Sequence, residues 1–179
     1  MISSALYRFR RGLATLRSEV DEEGTALAPR YLSPKEHSLF RGMSPADQRH
    51  SLRVLRALLQ NGPQEESLLK AALLHDIGKS RCRINVLHRT AAVLLKAVFG
   101  HVPAFITVRP DGRACSLPLF VIANHPRIGA SMLAQVGTEE RVWRLVELHH
   151  LEPADVEGFS GDESMREALA LLRQADNQS

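Results

Sequence analysis

The sequence of 179 residues predicts an all-α protein, a helical bundle with at most a small β-hairpin insertion around residues 104–117. Three observations carry that expectation. Apolar residues recur at helical spacing over most of the chain, serine and proline mark repeated helix starts, and β-branched residues cluster in one short segment only. At 44% hydrophobic, the chain can build one domain with a sizeable core and lacks the polar bias of disorder.

Residues 2–20 place Ile2, Leu6, Phe9, Leu13, Leu16 and Val20 on one helical face, with Arg8, Arg10, Arg11 and Arg17 off it. Such a helix docks on its own domain or on a second subunit, which would make a homodimer, more often than on a membrane. Residues 21–30, "DEEGTALAPR", read as a polar connection, so residues 1–30 form a helix and linker and residues 31–179 the domain. "SPKE" at 33–36 and "SPAD" at 44–47 each supply a serine cap, a proline at the first helical position and an acid at the third. The second opens a helix to about Leu59, stopped by Asn61-Gly62-Pro63. Gln64 to Ile77 reads as a buried helix ending at Gly78, and Ile84 to Phe99 as another. "AFITVRPDGRACSL" is either a hairpin around Pro-Asp-Gly or an irregular loop. Pro126 suits the first position of a helix to Val136, Thr138 caps one to His150, and Asp162 or Ser164 opens the last, to about Asp176.

No apolar run approaches the roughly 18 residues of a membrane span, and no leader pattern is visible, so a soluble cytoplasmic protein is expected. Cys82 and Cys115 lack paired spacing, which argues against a disulfide framework or a thiolate zinc site. A net charge of +3 suits an anionic substrate or a nucleic-acid surface alike.

Polar groups fall where apolar ones belong. The run "KAALLHDIGKSRC" at 70–82 carries four apolar residues straight into His75 and Asp76. His75 shares a face with Leu68, Ala71 and Ala72; His149 aligns with Val142, Leu145 and Val146; His150 lies beside Trp143. Asp176 shares the stripe of Met165, Leu169 and Leu172, and an inward aspartate needs a cation. His50 borders the apolar face of Val54 and Ala57. His125, preceding Pro126, is expected at a helix N-terminus with room beside it at Gly129. His37, His88 and His101 show no such relation and read as ordinary core or surface residues. An imidazole and carboxylate set without thiolates suits Mn, Fe, Ni, Co or Zn, with Mg tolerated. Four ligands make one centre; six or seven hold two ions, bridged by an aspartate using both oxygens. Lys79 could neutralise a phosphate oxygen, with Arg81, Arg83 and Arg127 as further candidates or as a solvated face.

The order His50 … His75-Asp76 … Asp176, with "LLHDIGK" around the pair, resembles the HD superfamily of metal-dependent phosphohydrolases from about Leu32 onward. The resemblance implies an all-helical fold with His50, His75, Asp76 and Asp176 around a first metal. "HPRIGASML" and the pair His149-His150 resemble the HD-GYP branch, which implies His125, His149 and His150 at a second metal. The branch's Gly-Tyr-Pro turn is replaced here by Gly158-Phe159-Ser160, and its glutamate before the first histidine by Ala46, so cyclic di-GMP hydrolysis is poorly supported. The expected activity is hydrolysis of a phosphate ester or phosphoanhydride of a small nucleotide-like substrate by metal-activated water, with Asp76 and Lys79 catalytic. Two rivals stay open: a silent regulatory or scaffold module with a structural metal, and nucleic-acid binding through the arginine-rich first helix, which lacks a groove-reading motif.

Overall fold

The computed structural model describes residues 26–62, 64–99, 117–151 and 163–179. Among these are seven α-helices, two short 3-10 turns and no strand. The expected helix over 2–20, the hairpin, His101, Cys115, Gly158-Phe159-Ser160 and Asp162 lie outside the described residues.

Helix α1 (Pro34–Arg41) opens on a full capping box: Glu36 N donates to Ser33 Oγ, and Ser33 N donates to the Glu36 carboxylate at 2.8 Å. Helix α2 (Pro45–Gln60) starts the same way, with Asp47 N donating to Ser44 Oγ. Helix α3 (Glu66–Leu74) is buried on nearly every side, and Lys70 escapes by pairing with Glu66. After His75 and Asp76 the chain tightens into a 3-10 turn at Ile77–Arg81, then enters α4 (Val86–Phe99). Helices α5 (Leu117–Gln135), α6 (Glu140–Leu148) and α7 (Glu163–Gln178) complete the set.

The core is built where α2, α3, α6 and α7 meet. Leu52, Leu55, Leu58, Leu68, Leu73, Leu74, Leu145, Leu169 and Leu172 are all buried there. Fully burying one such side chain contributes about 1.5–3 kcal/mol. Helix α5 packs on α6 and on the Ile77–Arg81 turn, and Leu133 of α5 and Ile77 of the turn both belong to the core.

Four sequence expectations change in detail. The helix expected to start at Pro126 is already formed at Leu117 and runs through that proline, so His125 is helical. Proline removes one donor, leaving Ile122 O without its backbone partner, and His125 Nδ1 occupies that carbonyl at 2.7 Å. The helix expected to reach Ile77 ends at Leu74, and Gly78 sits inside the 3-10 turn rather than capping a helix. Its role is contact: a Cβ there would meet His125 O at 2.1 Å and Gly129 N at 2.8 Å. Glu139, not Thr138, is the N-cap of α6, and Thr138 Oγ1 is buried without a partner. The helix expected from Ile84 begins at Val86, with His88 N donating to Asn85 Oδ1.

Candidate metal centre

Three of the central histidines are aimed by one local device. A helix leaves its last carbonyls without intrahelical donors. His75 and His149 are the C-cap residues of α3 and α6, and their Nδ1 atoms lie 3.0 Å from Ala72 O and 2.6 Å from Val146 O, each three residues back. His125 uses the carbonyl freed by Pro126 in the same i−3 relation. A carbonyl only accepts, so each Nδ1 carries the proton and each Nε2 is left as a bare lone pair.

Those lone pairs point at one another's neighbourhood. Nε2 of His75, His125 and His149 are buried without a hydrogen-bond partner, in residues 1%, 1% and 3% exposed. The rings form a chain of close neighbours: His50 to His75 and His75 to His149 at 5.2 Å, His149 to His125 at 5.4 Å, His125 to His150 at 4.7 Å between centroids. Two triads offer ligand atoms within 4.8 Å of one another, His50 with His75 and Asp176, and His125 with His149 and His150. His50 Nε2 lies 2.7 Å from Asp176 Oδ1, joining α2 to α7 across the bundle.

Asp76 stands between the triads. Its Oδ1 is 3.1 Å from His125 Nε2, without forming a hydrogen bond there, and its Oδ2 is 3.7 Å from His75 Nε2. Lys79 Nζ donates to Oδ2 at 2.6 Å. Burial works to raise the Asp76 carboxyl, but its surroundings, the Lys79 ammonium among them, override that and hold it well below the usual carboxylate range. Burial also opposes ionisation of Asp176, and the His50 hydrogen bond and His75 reverse that shift downward. The imidazoles move the other way: burial lowers His75 and, with the crowding of His75, His150 and His125, puts His149 well below its ordinary value. His150 is the solvent-exposed member; loss of water on its inner side, then His125 and Lys79, push it down to about 4. Neutral imidazoles beside ionised carboxylates are the protonation states that divalent ions require.

Unpaired buried nitrogens of this kind are costly, each about 1–3 kcal/mol. A divalent cation accepts lone pairs that no protein donor reaches, and the mixed nitrogen and oxygen set fits one. The other candidates are placed apart. Arg81 and Arg127 are exposed, while Arg83 lines a cleft with Lys79. His37 stacks on Phe40 with Nε2 buried and unpaired, and His88 Nδ1 accepts from Asn85 N. Sequence reading gave no role to the ion pair of Arg89 with Asp47, at 2.9 Å across 42 residues. In the sequence Asp47 reads as the acid of a capped helix start, and its burial is a feature of the fold.

The HD domain family model matches residues 48–177, most of the chain, and the chain belongs to that family, whose members are typically metal-dependent phosphohydrolases. No curated protein and no solved structure gives a match. Among the described residues no helix is long and apolar enough to cross a membrane.

Proposed function

We propose that the chain is a phosphohydrolase that binds two divalent ions, one in each triad, and cleaves a phosphate ester or anhydride of a small nucleotide-like substrate. The supporting observation is the Asp76 carboxylate, which presents one oxygen toward each set of histidines. His50, His75 and Asp176 would hold one ion and His125, His149 and His150 the other, with Asp76 shared. Paired divalent ions supply charge stabilisation for an in-line phosphoryl displacement and acidify water for the attack.

The chain's own groups do the remaining work. The bonds from Nδ1 to the Ala72, Ile122 and Val146 carbonyls fix ring orientation, which raises ligand basicity and removes reorganisation on binding. Asp76, kept ionised, orients the attacking water by accepting one of its protons in a hydrogen bond. Lys79 Nζ, anchored on Asp76 and only partly exposed, meets a phosphate oxygen as negative charge develops on it. His150, at the exposed edge, marks the side from which substrate enters.

The test combines metal analysis with turnover of bis(p-nitrophenyl) phosphate and a nucleotide panel, with added Mn or Fe. The reading expects bound metal and hydrolysis that His75→Ala reduces by at least 10²-fold. Metal without turnover of any ester would leave the silent module; no metal, with His75→Ala as active as wild type, would remove the reading altogether.

A further inference from the structure

Beside the metal centre lies a cleft of about 610 Å³, within the range of small-ligand sites, lined among others by Met43, Asp47, Lys79, Arg83, Asn85 and Arg89. It adjoins the centre through Lys79, which bonds Asp76 on one side and lines the cleft on the other. Asp47 stands one helical turn before His50 on α2.

The cleft's charges are unequally spent. Asp47, the one carboxylate in its lining, is buried, with its oxygens taken by Arg89 and by the Ser44 hydroxyl at 2.6 Å. Both bonds from Arg89 leave from a single nitrogen, Nη2, at 2.9 and 3.1 Å. A guanidinium carries five N–H donors, so Nε and Nη1 of Arg89 remain unspent among the described residues, on a side chain 42% exposed. The carboxylate thus orients the fork without consuming it. Arg83, also in the lining, is exposed and makes no ion pair with a described residue. No acidic residue occurs from Ile77 to Pro110 to compensate either arginine locally.

We infer that this cleft binds a second phosphate group of the substrate through Arg89 and Arg83, which makes the substrate a compound with two separated phosphates, such as a nucleoside bisphosphate, rather than a simple monoester. An oriented, part-unspent guanidinium fork matches phosphate oxygens in a way a hydroxyl or an apolar base does not. The inference rests on the phosphohydrolase reading for the scissile phosphate, while the cleft itself uses none of the proposed metal ligands.

Binding is read first on the metal-free full chain, titrated with inorganic phosphate by calorimetry. Saturable binding is expected, weakened at least tenfold by Arg83→Gln and by Arg89→Lys, which keeps a cation for Asp47 but loses the fork. Arg144→Gln, at an exposed pair with Glu140, serves as the control and leaves binding unchanged. No saturable binding, or binding that both cleft variants leave within twofold, overturns the proposal. Turnover by the Mn-loaded chain is read second, on a nucleoside 5′-monophosphate and its 3′,5′-bisphosphate. Arg83→Gln is expected to lower kcat/KM for the bisphosphate at least tenfold more than for the monophosphate; equal losses on both substrates contradict the cleft assignment. Intact phosphate binding with no turnover of either nucleotide would defeat the hydrolase reading and leave the cleft standing.

Discussion

His75, His125 and His149 each spend Nδ1 on a carbonyl three residues back and bury an unpaired Nε2. That arrangement costs the metal-free fold stability, about 1–3 kcal/mol for each unpaired nitrogen. Replacing His149 by leucine removes one unpaired nitrogen, about 1–3 kcal/mol, and loses one hydrogen bond, about 1 kcal/mol. His149→Leu is therefore expected in chelator to match wild type or to be up to about 2 kcal/mol more stable, yet to lose the stabilisation that added metal gives wild type, as denaturant titrations with and without metal will show. The same residues set the response to acid. His75, His149 and His150 have folded-state pKa values below the ordinary imidazole value, His150 at about 4, so the unfolded chain takes up protons that the folded chain refuses. Their contribution to stability is complete above about pH 6.5 and is lost as pH falls toward 4. Unfolding of the metal-free protein at pH 7.5 and pH 5 measures this; equal stability at the two would contradict it. For Lys79→Ala the expectation is a loss of about 10²-fold in kcat, read by steady-state kinetics on a protein that still binds metal.

At the scale of elements, the centre depends on how closely the Ile77–Arg81 turn meets α5. Gly78→Ala would drive a Cβ into backbone atoms, His125 O and Gly129 N, which no rotamer change relieves. It is expected to cost roughly 3 kcal/mol or more and to weaken metal binding by displacing His125. Gly129→Ala is expected to be milder, because its nearest neighbour is the Ile77 Cγ2 methyl at 3.0 Å. Melting both variants side by side checks the order. Helix starts were legible in the sequence because capping is local: Ser33 with Glu36, and Ser44 with Pro45, act within one turn. The inward position of Asp176 was legible too, since Met165, Leu169 and Leu172 define its stripe. The path through Pro126 was not, because a proline at a helix start and one inside a helix look alike until the fate of the Ile122 carbonyl is known. The close approach of Gly78 was equally hidden, being a relation between two segments some 50 residues apart in the chain.

For the molecule as a whole, stability and chemistry occupy different places. Leu73, fully buried between α3 and its neighbours, is expected to cost about 2–5 kcal/mol on truncation to alanine. Leu87→Lys, at a position 76% exposed on α4, is expected to change stability by no more than about 0.5 kcal/mol. Denaturant midpoints of the two variants test the contrast. The all-α architecture was readable from periodicity, and the convergence of the histidines and aspartates from polar groups on apolar faces. The pairing of Asp47 with Arg89 was not, since nothing local to either residue names a partner 42 positions away. We propose that Asp76, which lies between them, is shared by the two triads, whose residues come from five segments. The most direct test of that claim is a crystal structure of the metal-loaded protein with anomalous scattering. Two peaks about 3.5–4 Å apart are expected, one on each side of the Asp76 carboxylate. A single peak, or two that do not share Asp76, would contradict it.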